Sequence, residues 1–363
     1  MSALAKKYHA INLSQGFPDF DCDDEIKSQV SHYMSIGKNQ YAPMAGVMEL
    51  REQISRKIRQ LYRTRIDPVS EITITAGATQ AIFSAIMALI HPGDEVIVFE
   101  PAYDSYSPSI KLAGGIVVPY VLTGPNFKVQ WDELQKIINP KTKMLIINSP
   151  HNPSGTCLTP EDLQALGNII NAHDLFLLSD EVYEHIIFDG IKHQSALLIP
   201  TFRDRCLSVF SFGKTFHNTG WKIGYAVAGK RIMDEFRKVH QFNVFSVNTP
   251  VQHALADYLS DPAHYLNLGS FYQKKRDRFS DWLDKTRFKK IAGAGSYFQL
   301  VDYSDISLED DLSFVQKLTK EHKVAAIPIS VFRSHPINEH IIRFCFAKQA
   351  STLDRAGEKL TKV

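Results

Sequence analysis

Four cysteines in 363 residues are too few and too scattered for a disulfide framework or a metal cage. Cys22, Cys157, Cys206 and Cys345 form no C-x-x-C pair, and three of them, in apolar or turn contexts, read as reduced packing residues, which suits a reducing compartment. An excess of one charge is also missing. Lys plus Arg total 41 against 39 Asp plus Glu, a net +2, which implies neither a nucleic-acid-binding face nor an acidic tail. Long apolar runs are missing too. Ala81 to Ile90, interrupted by Ser84, is too short to cross a bilayer, and Met1 to Ala10 has no signal-peptide core. No repeat, low-complexity tract or linker is visible. No G-x-G-x-x-G follows the first strand of the alternating region, which argues against a dinucleotide-binding dehydrogenase. The expectation is a soluble cytoplasmic protein without a metal, nucleic-acid or membrane partner.

What is present is a large apolar fraction, 44%, enough for a sizeable core and two lobes. Asp23 or Asp24 is placed to cap a helix to about Ile36, and Val47 to Tyr62 carries an apolar face at helical spacing. Strands and helices then alternate. Glu71–Thr75, Glu95–Phe99, Ile116–Tyr120, Lys143–Asn148, Leu175–Ser179, Cys206–Phe210 and Ile223–Ala228 read as strands. Helices are predicted from Gly77 to Ile90, Tyr103 to Leu112 and Asp132 to Ile138, and after Thr159-Pro160, where Thr caps and Pro opens the helix. Alternation of this kind predicts an α/β fold, a mostly parallel sheet covered on both faces. After Gly229 the pattern becomes that of a smaller α+β lobe, with a long amphipathic stretch from Pro262 to Lys285.

Ligands bind at the carboxyl ends of strands in such sheets, and several chemical groups fall there. Gly77-Ala78-Thr79 lies between strand and helix, where backbone N–H groups suit an anion, although such a turn is often only a turn. Tyr103 offers an aromatic face or a core ring. Asn152 lies in the turn Pro150 to Gly155. Asp180 ends a buried strand and needs a cationic partner unless it caps the next helix. The stretch Ser211 to Tyr225 holds Lys214 and Lys222 between two apolar strands; a desolvated lysine there is a nucleophile toward an aldehyde, and two surface lysines are the plainer alternative. Arg343 sits inside an apolar strand and wants a carboxylate, from substrate or from the protein itself. In this order the groups make a kit for pyridoxal 5'-phosphate (PLP) carrying an α-amino acid.

The motifs in order are Asn12-Leu13-Ser14-Gln15-Gly16-Phe17-Pro18-Asp19, Gln40-Tyr41, Glu100 to Tyr106, Asn148 to Gly155, Ser179 to Tyr183, the Lys214 stretch and Ile341 to Phe344. With them the chain resembles, over nearly its full length, a fold type I, class I/II aminotransferase of the methionine, glutamine and kynurenine branch. The resemblance implies that Lys214 bears the cofactor and moves the substrate proton. Asp180 pairs with the ring nitrogen, Tyr183 and Asn152 bind the ring oxygen, and Tyr103 stacks on the ring. Gly77, Ala78, Thr79, Ser211 and Lys222 hold the phosphate, with Tyr41 reaching it from the other subunit of a homodimer. Arg343 grips the substrate carboxylate, helped by Gly16 and Asn152, with Phe17 beside the side-chain pocket. The implied partners are an amino acid and a 2-oxo acid in a ping-pong exchange. A large domain is expected over residues 31–263, with 1–30 and 264–363 forming the small one. Lys222 stands where many relatives have Arg, and the N-terminal arm of relatives has no counterpart before Met1. Rival readings are a carbon–sulfur β-lyase on the same cofactor and a non-catalytic sensor domain; the latter is disfavoured because no helix-turn-helix module precedes the domain.

Overall fold

A computed structural model describes residues 1–335 and 337–363. The chain enters through a two-residue strand, β1 (Ile11–Asn12). Seven strands then build the main sheet: β2 (Ile72–Thr75), β3 (Glu95–Glu100), β4 (Ile116–Val121), β5 (Thr142–Asn148), β6 (Phe176–Asp180), β7 (Cys206–Ser211) and β8 (Gly224–Ala228), in the order β2-β8-β7-β6-β5-β3-β4. β8 runs antiparallel to both of its neighbours, and the other adjacent pairs are parallel.

The apolar runs explain the two covered faces. Side chains alternate along a strand. Val96, Val98, Met144, Ile146 and Leu178 therefore face one core with Ala81, Ile86 and Phe236. Ile97, Phe99, Leu145, Ile147 and Leu177 face the other, with Leu163, Leu166 and Ile169. Each fully buried aliphatic side chain of this kind contributes roughly 1.5–3 kcal/mol. The helix Pro160–His173 starts as expected: Thr159 accepts from the Asp162 N–H at 3.1 Å, and Asp162 accepts from the Thr159 N–H at 2.9 Å.

A second sheet contains β9 (Lys289–Lys290), β10 (Phe298–Asp302), β12 (Ile327–Pro328) and β13 (Ile341–Cys345), while β11 (Val324–Ala325) pairs with β1. Its core joins Leu13, Tyr297, Phe344 and Leu353. Neither expected domain boundary falls in a loop. Residue 31 lies inside the helix Asp24–Ser35, capped by Asp23, whose Ile26 packs with Leu50, Tyr225 and Leu255 in the main-sheet core. Residue 263 opens the short helix Ala263–Leu266, and the amphipathic stretch from Pro262 to Lys285 forms that helix and a second one, Leu268–Leu283, separated at Asn267. The helix expected from Tyr103 begins at Tyr106.

All four cysteines are free thiols. Among the described residues, no helix is long and apolar enough to cross a membrane, and no group of His, Cys, Asp and Glu side chains is arranged to hold a metal.

Candidate active site

The sheet brings the chemical groups together. Asn148 and Asp180 end adjacent parallel strands and are register partners. Ser211 ends β7 opposite Gly224, and Thr75 ends β2 opposite Gly224 from the other side. Because β8 is antiparallel, its first residues lie where the other strands finish, so Lys222 arrives at the same edge as Asp180 and Ser211. Here Gly77, Ala78, Thr79, Tyr103, Asn152, Asp180, Tyr183, Ser211, Lys214 and Lys222 line one cavity of about 670 Å³, open mouth included. Lys214 does not sit on a plain turn. It lies on a one-turn helix, Phe212–Thr215, whose Ser211 side chain accepts from the Lys214 N–H. A 3-10 turn, Thr219–Trp221, then leads to Lys222 in the left-handed region, φ 56°.

Asp180 is 3% exposed. Tyr106 donates to its Oδ2 at 2.5 Å and the Val182 N–H to its Oδ1 at 3.3 Å. Among the described residues no cationic side chain forms an ion pair with it. Burial pushes its carboxyl up to about 6 from 3.8, so keeping it ionised at neutral pH costs about 3 kcal/mol. A cation placed against Asp180 relieves that cost. The segment behind it is pinned: Glu181 accepts from Ser179 at 2.9 Å and meets His193 at 2.7 Å. Glu184 pairs with Lys57 and accepts from Tyr62 at 2.6 Å, all three buried.

Lys214 Nζ donates to the Gly16 carbonyl at 3.2 Å and to the Tyr297 hydroxyl at 3.0 Å. Burial brings its amine down to about 8, with Arg343 and Lys222 pressing the same way. Arg343 is buried. It donates from Nη1 to Asn152 Oδ1 at 2.7 Å and from Nη2 to the Ser14 carbonyl at 3.2 Å, and its Nε has no partner. Its guanidinium lies 3.9 Å from the Phe298 ring centroid and 4.9 Å from that of Phe332. Gly77, at φ 79°, precedes the helix Ala78–Leu89, and a Cβ there would stand 3.4 Å from Lys222 Nζ. Thr79 and Tyr103 share a hydrogen bond of 3.1 Å.

Four of the sequence-derived residues do not line this cavity: Gly16 and Arg343 adjoin it through hydrogen bonds to Lys214 and Asn152, and Tyr41 and Phe17 lie elsewhere in this chain. Tyr41 is 81% exposed and packs on Phe245 outside the cavity. Phe17 is also exposed, and its carbonyl accepts from Lys348 at 2.7 Å. Gly16 meets Lys214 through its carbonyl. Three partners were not assigned a role from the sequence: Tyr106 on Asp180, Asn148, whose Oδ1 accepts from the Asn152 N–H at 2.7 Å, and Tyr297. Tyr106 and Asn148 lie within quoted motifs; nothing local marks Tyr297.

The family model for aminotransferases of class I and II matches residues 8–360. The chain belongs to this family. It is a transaminase and PLP-dependent. Among relatives of this aminotransferase, the methionine aminotransferase of Escherichia coli is 51% identical over 100% of this chain and 94% of its own length. Kynurenine–oxoglutarate transaminase 3 of Rattus norvegicus is 36% identical over 98% of this chain and 85% of its own. A solved Escherichia coli structure described as having a methionine aminotransferase function superimposes with a TM-score of 0.98, at 51% identity, covering 100% of this chain and 96% of that one.

The residues of the aminotransferase cavity fit PLP. Asp180 lacks a cation and matches a protonated ring nitrogen. The glycine-opened helix start beside Lys222 suits a phosphate, and Lys214 is desolvated enough to react as an amine. A pH dependence follows. Asp180 favours a cationic ring only while ionised, and that advantage is lost as pH falls through about 6 in the cofactor-free protein. In fluorescence titrations of apoprotein with PLP, the affinity gap between wild type and Asp180→Asn is expected to narrow about tenfold per pH unit below that point. A gap that stays constant from pH 5 to 8 contradicts the pairing.

Proposed function

We propose that this enzyme transfers the amino group of a neutral amino acid, methionine foremost, to a 2-oxo acid by a ping-pong mechanism. The observation that carries the reading is the setting of Arg343: one buried guanidinium with a free Nε, close to the rings of Phe298 and Phe332. Arg343 adjoins the cavity through its hydrogen bond to Asn152, and among the described residues no other arginine lines the cavity or bonds to a residue that does, so a substrate has one carboxylate anchor beside aromatic rings. The 51% identity to the Escherichia coli methionine aminotransferase supports the same side-chain class.

The residues divide the work. Bound PLP supplies the aldehyde that condenses with amines and a ring that accepts an electron pair from Cα. Lys214 Nζ would carry the cofactor and, once released, would take the proton from the substrate Cα and deliver it to the cofactor's aldehyde carbon, across the amino nitrogen. Its lowering to about 8 leaves a usable fraction of free amine near neutral pH. Asp180 would keep a proton on the ring nitrogen, and Tyr183 and Asn152 would hold the ring oxygen. Ala78, Thr79, Ser211 and Lys222 anchor the phosphate, Lys222 as a point charge without the fork an arginine has. Arg343 orients the substrate so that its Cα–H bond faces Nζ. The exposure of Tyr41 beside Phe245, with Phe242 90% exposed, supports a homodimer in which Tyr41 reaches the partner's phosphate.

Single-turnover loss of the cofactor absorbance band tests the substrate class. Methionine is expected to exceed aspartate by about 100-fold in kcat/KM, because a second carboxylate enters an apolar wall without a partner. Equal values for the two amino acids overturn the neutral-substrate reading.

A further inference from the structure

We propose that Tyr297 is a positioning residue that aims the lone pair of Lys214 Nζ toward the substrate Cα. Tyr297 immediately precedes β10 and is fully buried. Its ring packs edge-on against Tyr183 at 5.2 Å and Phe298 at 4.9 Å between centroids, and lies 5.7 Å from Tyr272. Rings on several sides decide where its hydroxyl sits. That hydroxyl has one proton, and it goes to the Gly16 carbonyl at 2.5 Å. Toward Nζ, 3.0 Å away, the Tyr297 oxygen is therefore an acceptor.

A neutral amine has two N–H bonds and one lone pair. The Tyr297 oxygen takes one N–H and the Gly16 carbonyl, at 3.2 Å, takes the other. The tetrahedral position left for the lone pair points away from both acceptors. The base is thus oriented as well as brought near, and orientation of this kind sets how fast a proton moves. The contact belongs to the free amine, so it acts after Lys214 has handed over the cofactor. The inference rests on the reading of Lys214 as the cofactor-bearing base.

The test compares holoenzyme Tyr297→Phe with wild type, since phenylalanine keeps the ring contacts and removes only the oxygen. In single turnovers with methionine and with Cα-deuterated methionine, the proton-transfer step is expected to slow by about 10- to 100-fold, with a larger deuterium isotope effect. Cofactor content and resting absorbance stay at wild-type values, and the melting temperature falls only slightly, for the hydrogen bond lost to the Gly16 carbonyl. A crystal structure of the cofactor-free variant is expected to show Nζ displaced from the Gly16 carbonyl. A wild-type rate and isotope effect overturn the proposal. So does a slow variant with an unchanged isotope effect and a strongly lowered melting temperature, which marks Tyr297 as packing. Borohydride reduction of the wild type separates the two assignments: a label on Lys214 with a wild-type Tyr297→Phe protein defeats the aiming role alone, whereas a label elsewhere defeats the reading of Lys214 beneath it.

Discussion

Lys214→Ala is expected to lower the single-turnover rate by roughly 10⁴-fold, the upper end of what a positioned base contributes. The loss is chemical. Lys214 combines three properties in this chain: it sits on a one-turn helix at the carboxyl edge of the sheet, its amine is brought down to about 8 by burial, and its two N–H partners are a fixed carbonyl and a buried phenol. Alanine keeps the helix, whose cap is the Ser211 side chain accepting from the backbone N–H. It also removes a buried amine that the fold tolerates poorly in its charged form. The amine's folded pKa lies below that of an unfolded lysine, so its charged form costs the fold stability at pH values below about 8. The variant is therefore expected to stay folded, to bind PLP without a covalent bond, and to keep its far-UV circular dichroism. Lys222 does not substitute for it. Lys222 is exposed, and its Nζ lies beside Gly77 at the start of the helix Ala78–Leu89. A Lys214→Ala protein within tenfold of the wild-type rate is incompatible with the assignment.

Arg343→Lys is expected to reduce kcat/KM by about 100-fold for every amino acid tested. Guanidinium meets a carboxylate with two parallel N–H donors, whereas an ammonium meets it as a point. Here the loss is compounded. Arg343 Nη1 and Nη2 each give one N–H to Asn152 and the Ser14 carbonyl, which leaves a second N–H on each and the unpaired Nε–H for the substrate. A lysine has three N–H bonds on one nitrogen, so holding both neighbours would leave a single donor for the substrate and no fork. It also loses stacking on Phe298. A lost charged hydrogen bond is worth about 1.5–3 kcal/mol, a factor of roughly 10 to 150. Because the carboxylate is common to all amino acids, the loss must be uniform. A change confined to one substrate, seen by comparing methionine, glutamine and phenylalanine, would show that Arg343 selects side chains instead.

Much of this was legible in the sequence for identifiable reasons. Strands buried on both faces write themselves as apolar runs, so Val96 to Phe99 and Met144 to Ile147 were plain. Groups at strand ends follow those runs, which located Asn152, Asp180, Ser211 and Lys214. The direction of β8 was not legible, because an apolar run has no polarity; its reversal is what brings Lys222 to the site. Partners distant in sequence were also hidden. Lys57 and Glu184 are 127 residues apart, and Lys214 and Tyr297 are 83 apart. Each member alone reads as an ordinary charged or aromatic residue. Asp180 could be singled out as an acid in need of a partner, but the hydroxyl of Tyr106, 74 residues away, emerges only from the packing.

The chemistry assigned to this chain converges on one nitrogen atom. Reduction of the resting holoenzyme with borohydride, followed by digestion and mass spectrometry of the peptides, reads where the cofactor is attached. One phosphopyridoxyl group per chain, on the peptide containing Lys214, is the expected result. The label on Lys222 or on any other lysine, with Lys214 unmodified, would contradict it.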